Sequence, residues 1–505
     1  MKKYNVILLL IDGTRIDRLD KFPIFKRLKE EGCFFSEVIA SAPYTLVAMN
    51  SIFTGMYGSK NGIDAYHKMF QNPKAGCKTL ADYLTENGWY TRGDAMRLSL
   101  VSSQGFKKFT SQEDVPDPDF SKIHKEILDE TTNEVDDEQP YFLYLHYPKI
   151  HHSIKESVFD KYDDFSEEYF EDKKRNLRNY DEYLKEAADY LDEIYFNNLS
   201  KKQSNDSIII IMTDHGMGIG EKVGERAYGS FTYDYTLRTF ALFIQPKIFP
   251  KGKEISELVR AIDVMPTILD CLEVSTDQSC LRMQGQSLLN LINQTTDQDK
   301  SNTDEDSEFQ KIAYSETGGV NGPWPSPDAP NIKCVRTKKW KLIHNLTPDT
   351  WELYNLKDDP QETKNLVNKY PIIVKKLKEY KINFPSIIDP SVIIADNVDI
   401  GKGVIIQANS IINPGVTIED FTFINLDCTI GHDCKISSYV TIAPGANING
   451  NTKINSSTEI GSGTVSIQNV TIGKNCIIGA GTVIINDVPN DSLVVGNPGK
   501  IKKRE

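Results

Sequence analysis

Val440-Thr441-Ile442-Ala443-Pro444-Gly445-Ala446-Asn447-Ile448-Asn449-Gly450-Asn451-Thr452-Lys453-Ile454 places an isoleucine at every sixth residue. The register runs from Ile394 to Ile484 and is broken once, at Ser466. Two residues before each isoleucine stands a small or β-branched side chain, as at Val392, Val398, Val404, Ser410, Val416, Thr422, Cys428, Cys434 and Val440. A period of six matches neither the 3.6 of a helix nor the 2 of a flat strand. It fits a solenoid in which each hexapeptide makes one side of a triangular coil, three to a turn, with the isoleucines stacked inside. Pro385 and Pro390 bracket a short linker before the repeat. The reading is therefore an all-β helix over 386–505 and a separate domain over 1–383.

Upstream the pattern changes. Apolar runs at Val6–Ile11, Tyr141–Leu145, Ile208–Met212 and Phe240–Ile244 alternate with amphipathic segments such as Tyr180–Tyr195. That alternation predicts an α/β fold, a mostly parallel sheet flanked by helices. Two acidic stretches, Gln112–Gln139 and Thr295–Glu308, read as surface loops or insertions. The length of 505 residues itself calls for more than one core. A net charge of −13 argues against a general nucleic-acid or anionic-membrane binder. The eight cysteines form no CxxC pair or dense framework and read as free thiols. Val6–Ile11 is too short for a signal core or a membrane span, so a cytoplasmic protein without a membrane span is expected.

Three segments carry chemistry. Leu8-Leu9-Leu10-Ile11-Asp12-Gly13-Thr14-Arg15 is an apolar strand ending in a carboxylate, and Ile208-Ile209-Ile210-Ile211-Met212-Thr213-Asp214-His215-Gly216 ends in Asp-His-Gly. In open α/β sheets the carboxyl ends of strands form the site, so Asp12, Asp214 and His215 are placed to meet as a divalent metal site. Thr45 precedes an apolar segment that reads as a helix. It is either the N-cap or a nucleophile whose hydroxyl sits at the positive helix end and on the metal. Lys222 and Arg226, in a Gly-rich loop after His215, are candidates for an anionic substrate or simply solvated charges.

These segments resemble the alkaline phosphatase/sulfatase superfamily. The resemblance extends to Tyr141–His146 with His151 beyond it, to Ala261–Asp270, and to the closing Trp351–Leu356 and Asp359-Pro360 pattern. It implies one substrate-side histidine, His151, and a nucleophile at Thr45. True sulfatases carry Cys or Ser there, converted to formylglycine, with Pro and Arg at the second and fourth positions after it; here these are Val47 and Met49. Gly13 stands where a second metal-binding Asp is expected, and Tyr228-Gly229 where a His-Gly is common. The resemblance therefore implies a phosphate-ester enzyme, less readily a sulfate-ester one. It also implies a single ion (Mn, Mg, Ca or Zn) on Asp12, Thr45, Asp214 and His215.

The repeat resembles the left-handed β-helix of hexapeptide acyltransferases, and among them the O- and N-acetyltransferases of sialic acids and related sugars. The match centres on Cys428-Thr429-Ile430-Gly431-His432-Asp433-Cys434-Lys435-Ile436. There it implies His432 as general base, oriented by Asp433. The tail containing Gly479, Gly481, Gly496 and Lys500 is where the resemblance implies acetyl-CoA binding, between the helices of a homotrimer. Together these features predict a bifunctional enzyme acting on a small-molecule or glycan substrate. Two alternatives stay open: the solenoid is only a trimerising scaffold, or the first domain is a non-catalytic glycan binder.

Overall fold

The structure, a computed structural model, describes residues 3–69, 71–136, 138–154, 172–199, 201–222, 225, 227–276, 283–293, 311–318, 331–346, 349–381, 387–395, 397–401 and 403–502. The chain divides into two compact units, Met1–Lys381 and Ile382–Glu505.

In the first unit, strands β1 (Asn5–Ile11), β2 (Cys33–Ile39), β3 (Tyr90–Ala95), β4 (Lys108–Ser111), β5 (Tyr141–Tyr147), β6 (Ser207–Met212), β7 (Arg238–Ile244) and β8 (Lys253–Ile255) form one sheet. Their order is β4-β3-β5-β1-β6-β7-β2-β8, and β9 (Val259–Arg260) also pairs with β2. The five strands from β4 to β6 run parallel, whereas β7 is antiparallel to both its neighbours. β1 is central and apolar on both faces because each face meets a separate core. Val6, Leu8 and Leu10 enter one, and Ile7, Leu9 and Ile11 the other.

Of the helices, α1 (Thr45–Thr54), α2 (Phe120–Glu134), α3 (Lys149–Ile154), α4 (Lys173–Leu191) and α5 (Val264–Cys271) bear on the argument. Helix α2 corrects the expectation of a loop over Gln112–Gln139. Asp119 caps it through the Lys122 N–H, and Phe120, His124, Ile127, Leu128 and Thr131 bury one stripe at helical spacing. The acidic residues that suggested a loop cover its other face. The second acidic stretch, Thr295–Glu308, lies outside the described residues.

A second, antiparallel sheet follows: β10 (Ala313–Thr317), β11 (Ile332–Arg336), β12 (Trp340–Asn345) and β13 (Thr350–Asn355). An ionic cluster ties it to the segment before β7. Asp234 bonds the guanidinium of Arg336 and, at 2.9 Å, the fully buried ammonium of Lys341, which also pairs with Glu362 at 2.9 Å. Burial opposes the Asp234 charge. Arg336 and Lys341 outweigh it and hold the carboxyl well below its usual range. Asp234→Ala is expected to cost about 3–5 kcal/mol, since it removes the carboxylate shared by two buried cations and leaves each with one partner, Glu37 for Arg336 and Glu362 for Lys341. The contribution of Asp234 is present above the ordinary carboxylate pKa and fades as pH falls towards its depressed one. Urea unfolding at neutral pH that shows no loss in the variant would refute the assignment.

The second unit is a three-sided parallel β-helix of two- and three-residue strands. Face I stacks strands from Ile387–Ile388 through Ile405–Ile406 and Phe423–Ile424 to Leu493–Val495. Face II runs from Ile393–Ile394 to Val483–Ile484, and face III from Asp399–Ile400 to Thr471–Ile472. Through most of the stack an isoleucine pairs with the one eighteen residues on, as Ile394 with Ile412 and Ile412 with Ile430; near the end the step is sixteen, as Ile478 with Val494. Ser466 breaks the hydrophobic pattern without leaving a polar void: its hydroxyl accepts the Asn449 N–H at 3.0 Å and lies 3.3 Å from Thr452 Oγ.

Every sixth residue from Gly403 to Gly481 has positive φ and turns a corner. Asn, Asp or Ser fill most corners that are not glycine, and Phe421 and Tyr439 fill two. Those two rings stack from coil to coil, centroids 5.3 Å apart.

Candidate functional site

β5, β1 and β6 lie side by side and parallel, so their carboxyl ends open on one edge of the sheet. In register, Leu10 pairs with His146 on one side and Met212 on the other. Asp12, His146, Asp214 and His215 are brought together by that order.

Asp12 is the hub. Its Oδ2 accepts from His146 Nε2 at 2.9 Å and from the Thr45 hydroxyl at 3.0 Å, and its Oδ1 from His151 Nε2 at 2.6 Å. Burial works against this charge. His151 and His146 overcome it, and the Asp12 carboxyl is held well below the usual range. Asp214 is the opposite case. Neither of its buried oxygens has a donor, and burial, followed by the neighbouring Asp12 charge, pushes its carboxyl well above the usual range.

His215 is neutral, because burial lowers its pKa to about 4. Its Nδ1 lies 2.7 Å from the Gly216 carbonyl, so that nitrogen carries the proton and Nε2 presents a lone pair. Nε2 faces Thr45 Oγ at 3.3 Å and Asp12 Oδ1 at 3.3 Å. Ligand atoms of Asp12, His151 and His215 all lie within 4.8 Å of one another. Two adjacent buried carboxylates, one of them without a donor, beside an imidazole lone pair are a donor set that a divalent cation completes.

Thr45 is the first residue of α1. The cap is Tyr44, whose side chain makes no capping bond, so the positive helix end at Thr45 keeps its first-turn N–H groups. Gly13 turns with φ +74°, and a Cβ on it would stand 3.0 Å from Met217 and 3.5 Å from the His151 ring. The absent second Asp thus leaves room for His151 beside Asp12. His151 packs edge-on against Tyr228, centroids 4.4 Å apart.

His151 therefore sits on Asp12 itself. His146 was not among the residues singled out from the sequence. Its signal was available, a histidine at the end of an apolar run, but its meaning depends on β5 lying next to β1. Lys222 stands apart from the cluster: its ammonium donates to the Glu362 carbonyl and lies 4.3 Å from the Tyr233 ring centroid. Arg226 lies outside the described residues.

In the solenoid, His432 and Asp433 occupy a corner between faces II and III. Their pairing distance is 2.8 Å, Nδ1 to Oδ2, and both side chains are 67% exposed. Gly479 and Gly481 lie at a different edge, between faces I and II; Gly496 follows the last face-I strand, and Lys500 is exposed in the antiparallel strand that closes it. Within one chain these four do not meet His432.

Among the described residues no helix is long and apolar enough to cross a membrane. Seven cysteines are described, all free.

Residues 227–383 match the family model for the C-terminal part of N-sulphoglucosamine sulphohydrolase. The chain is 27% identical to N-acetylglucosamine-6-O-sulfatase of Bacteroides thetaiotaomicron over 297 residues, 52% of this chain and 47% of that protein. It is 28% identical to Delta 4,5-hexuronate-2-O-sulfatase of the same organism over 212 residues, 41% of this chain and 40% of that one. The chain thus spans less than half the length of these curated relatives. Two solved structures share the fold. A 2-O GAG sulfatase has a TM-score of 0.59 at 17% identity, covering 75% of this chain and 91% of that one. The phosphonate monoester hydrolase of Agrobacterium radiobacter has a TM-score of 0.54 at 13% identity, covering 75% and 95%. Matched by the sulfatase family model across residues 4–274, more than half its length, the chain belongs to the sulfatase family.

Proposed function

We propose that this chain is a bifunctional glycan enzyme whose first unit cleaves or transfers a phosphate ester of a sugar, using Thr45 as nucleophile. The observation that carries this reading is the Thr45 hydroxyl, 3.0 Å from Asp12 and 3.3 Å from the His215 lone pair at a helix N-terminus. A sugar substrate is favoured by the relatives that act on amino-sugar and uronate sulfates. Phosphate rather than sulfate is favoured by the residue type. Oxidation of a threonine side chain gives a ketone, not the aldehyde that formylglycine requires.

Asp12, Asp214, His215 and Thr45 would hold one divalent ion. When bound, it would favour the Thr45 alkoxide and offset charge on the ester. The remaining work falls to the chain. The Thr45 proton leaves along its existing bond to Asp12, Oγ attacks phosphorus, the bond to the sugar oxygen breaks, and that oxygen takes a proton from water and leaves as the sugar hydroxyl. His146 keeps the Asp12 carboxylate in place, and His151, beside Tyr228 and bonded to Asp12 through Nε2, would turn from Asp12 to donate to the ester oxygens. Water or a second hydroxyl then releases the phosphoryl group from Thr45.

Adding Mn²⁺, Mg²⁺, Ca²⁺ or Zn²⁺ should raise the thermal midpoint for at least one ion. A hundredfold excess over Kd corresponds to about 2.7 kcal/mol. Affinity should rise with pH, because the raised pKa of Asp214 makes a proton compete with the cation for that carboxylate. Asp214→Ala should lose the shift. No response to any of the four ions sinks the metal site.

The second unit we read as an acetyl-CoA-dependent sugar O-acetyltransferase, assembled as a trimer through the β-helix. Supporting it is the His432–Asp433 pair, exposed and joined through Nδ1, which leaves Nε2 to take a proton. The acceptor hydroxyl gives its proton to Nε2 and its oxygen attacks the thioester carbon. The C–S bond breaks, and the thiolate recovers the proton. Gly479, Gly481, Gly496 and Lys500 would lie along the coenzyme in the groove between copies, with His432 supplied from a different edge.

A further inference from the structure

Glycines in the solenoid serve different ends, and two of them stand out by what surrounds them. A Cβ on Gly401, Gly431, Gly461 or Gly473 would come within 2.5–2.7 Å of backbone nitrogen in the next coil, so these residues let coils approach. On Gly445, Gly463 or Gly481 it would meet nothing within 4 Å. Gly450 and Gly415 are neither. A Cβ on Gly450 would stand 2.5 Å from His432 Nε2, 2.8 Å from Cε1 and 3.0 Å from Cδ2, against the ring itself. A Cβ on Gly415 would stand 2.4 Å from Asp433 Oδ1.

Gly450 lies eighteen residues after His432 and Gly415 eighteen before Asp433, so each occupies the matching corner place in an adjoining coil. Backbone conformation does not demand glycine at either. Gly450 is absent from the positive-φ residues, and the corner position of Gly415 is taken by Asn451 and Asn469 in later coils. The missing side chains are explained by the pair they flank.

We propose that Gly415 and Gly450 are positioning residues that form a slot for the His432–Asp433 pair, fixing the imidazole against the solenoid and leaving Nε2, the ring atom a side chain at 450 would cover, open to the acceptor. This rests on the acetyl-transfer reading of His432. Asp433 Oδ2 holds Nδ1 at 2.8 Å, Gly415 leaves space for the other carboxylate oxygen, and Gly450 lets the ring lie against the next coil. A methyl at 450 forces the ring to swing, which turns Nε2 away and stretches the bond to Asp433.

The test uses the full chain with acetyl-CoA and a panel of sialic acids and amino sugars. Gly450→Ala and Gly415→Asn are the variants; asparagine suits the corner conformation at 415, so its effect reports on the slot rather than on backbone strain. Both should lower kcat roughly tenfold to a hundredfold, the scale of a base displaced from its geometry, with KM for acetyl-CoA unchanged. The His432 ring ¹⁵N shifts and its titration should move in both variants. Gly463→Asn, at an open corner, should change none of these. If Gly450→Ala and Gly415→Asn leave kcat and the His432 titration as in the parent, the slot is overturned while the acetyl-transfer reading stands. If His432→Ala transfers acetyl groups as fast as the parent, or the parent transfers none, the reading itself fails and the slot falls with it.

Discussion

Thr45→Ala is expected to lower ester cleavage by roughly 10⁴-fold or more, the scale seen when a nucleophile is removed from a preorganised site. The expectation follows from how little else changes. Asp12 keeps its bonds to His146 and His151, and His215 keeps its bond to Gly216, so the cluster retains its arrangement. The hydroxyl lost is one hydrogen bond, worth about 1 kcal/mol, and the fold should tolerate it. Thr45→Ser retains an oxygen in the same place and should keep measurable activity. The measurement is turnover of aryl phosphate and aryl sulfate esters with each divalent ion, alongside acetyl transfer by the same preparation. Thr45→Ala should leave the latter untouched. Ester hydrolysis at the parent rate would show that the nucleophile lies elsewhere; a preference for the sulfate ester would reverse the phosphate assignment while leaving the residue intact.

His432→Ala is expected to reduce acetyl transfer by roughly 10²–10⁴, the usual worth of a positioned general base. The side chain is exposed and its ring bonds Asp433 at a corner, so removing it should not disturb the isoleucine stack inside. Light scattering should still give a trimer, and calorimetry should give acetyl-CoA binding close to that of the parent. Asp433→Asn should cost less, because it weakens the orientation of the imidazole without removing it. The separation of effects matters: turnover falls, binding and assembly stay. A chain that forms trimers but binds no acetyl-CoA at millimolar concentration would return the solenoid to the role of scaffold.

The two units differ in how far they were legible from the sequence. The solenoid is written locally. Its period of six states which residue enters the core, and the strands that pair are eighteen residues apart until the last coil, where the step is sixteen, so no long-range information is required. Ser466 was visible as a break, but its accommodation by Asn449 and Thr452 was not, since it depends on side-chain geometry in the coil below. The loop expected over Gln112–Gln139 shows the limit of composition. Acidic residues concealed a stripe at Phe120, His124, Ile127 and Thr131 that periodicity would have identified as helix α2.

The metal-ligand candidates Asp12, Asp214 and His215 are legible at strand ends, because an apolar run stopping at Asp12 or Asp214 can be recognised within ten residues; Thr45 is legible as a helix start. Their grouping is not. Asp12 and His146 are 134 positions apart and Asp12 and His151 139, and they meet because β5 lies beside β1 in the sheet order. The same holds for Lys222, which its place in a Gly-rich loop leaves as either a substrate contact or a solvated charge and the tertiary structure ties to the Glu362 carbonyl, 140 positions away. Residue order alone carries the local rule of each element: period, strand end, helix start. Which side chains share a site was decided by the tertiary structure, because burial and sheet order set the distances and the desolvation that hold the Asp12 carboxyl below its usual range and push the Asp214 carboxyl above it.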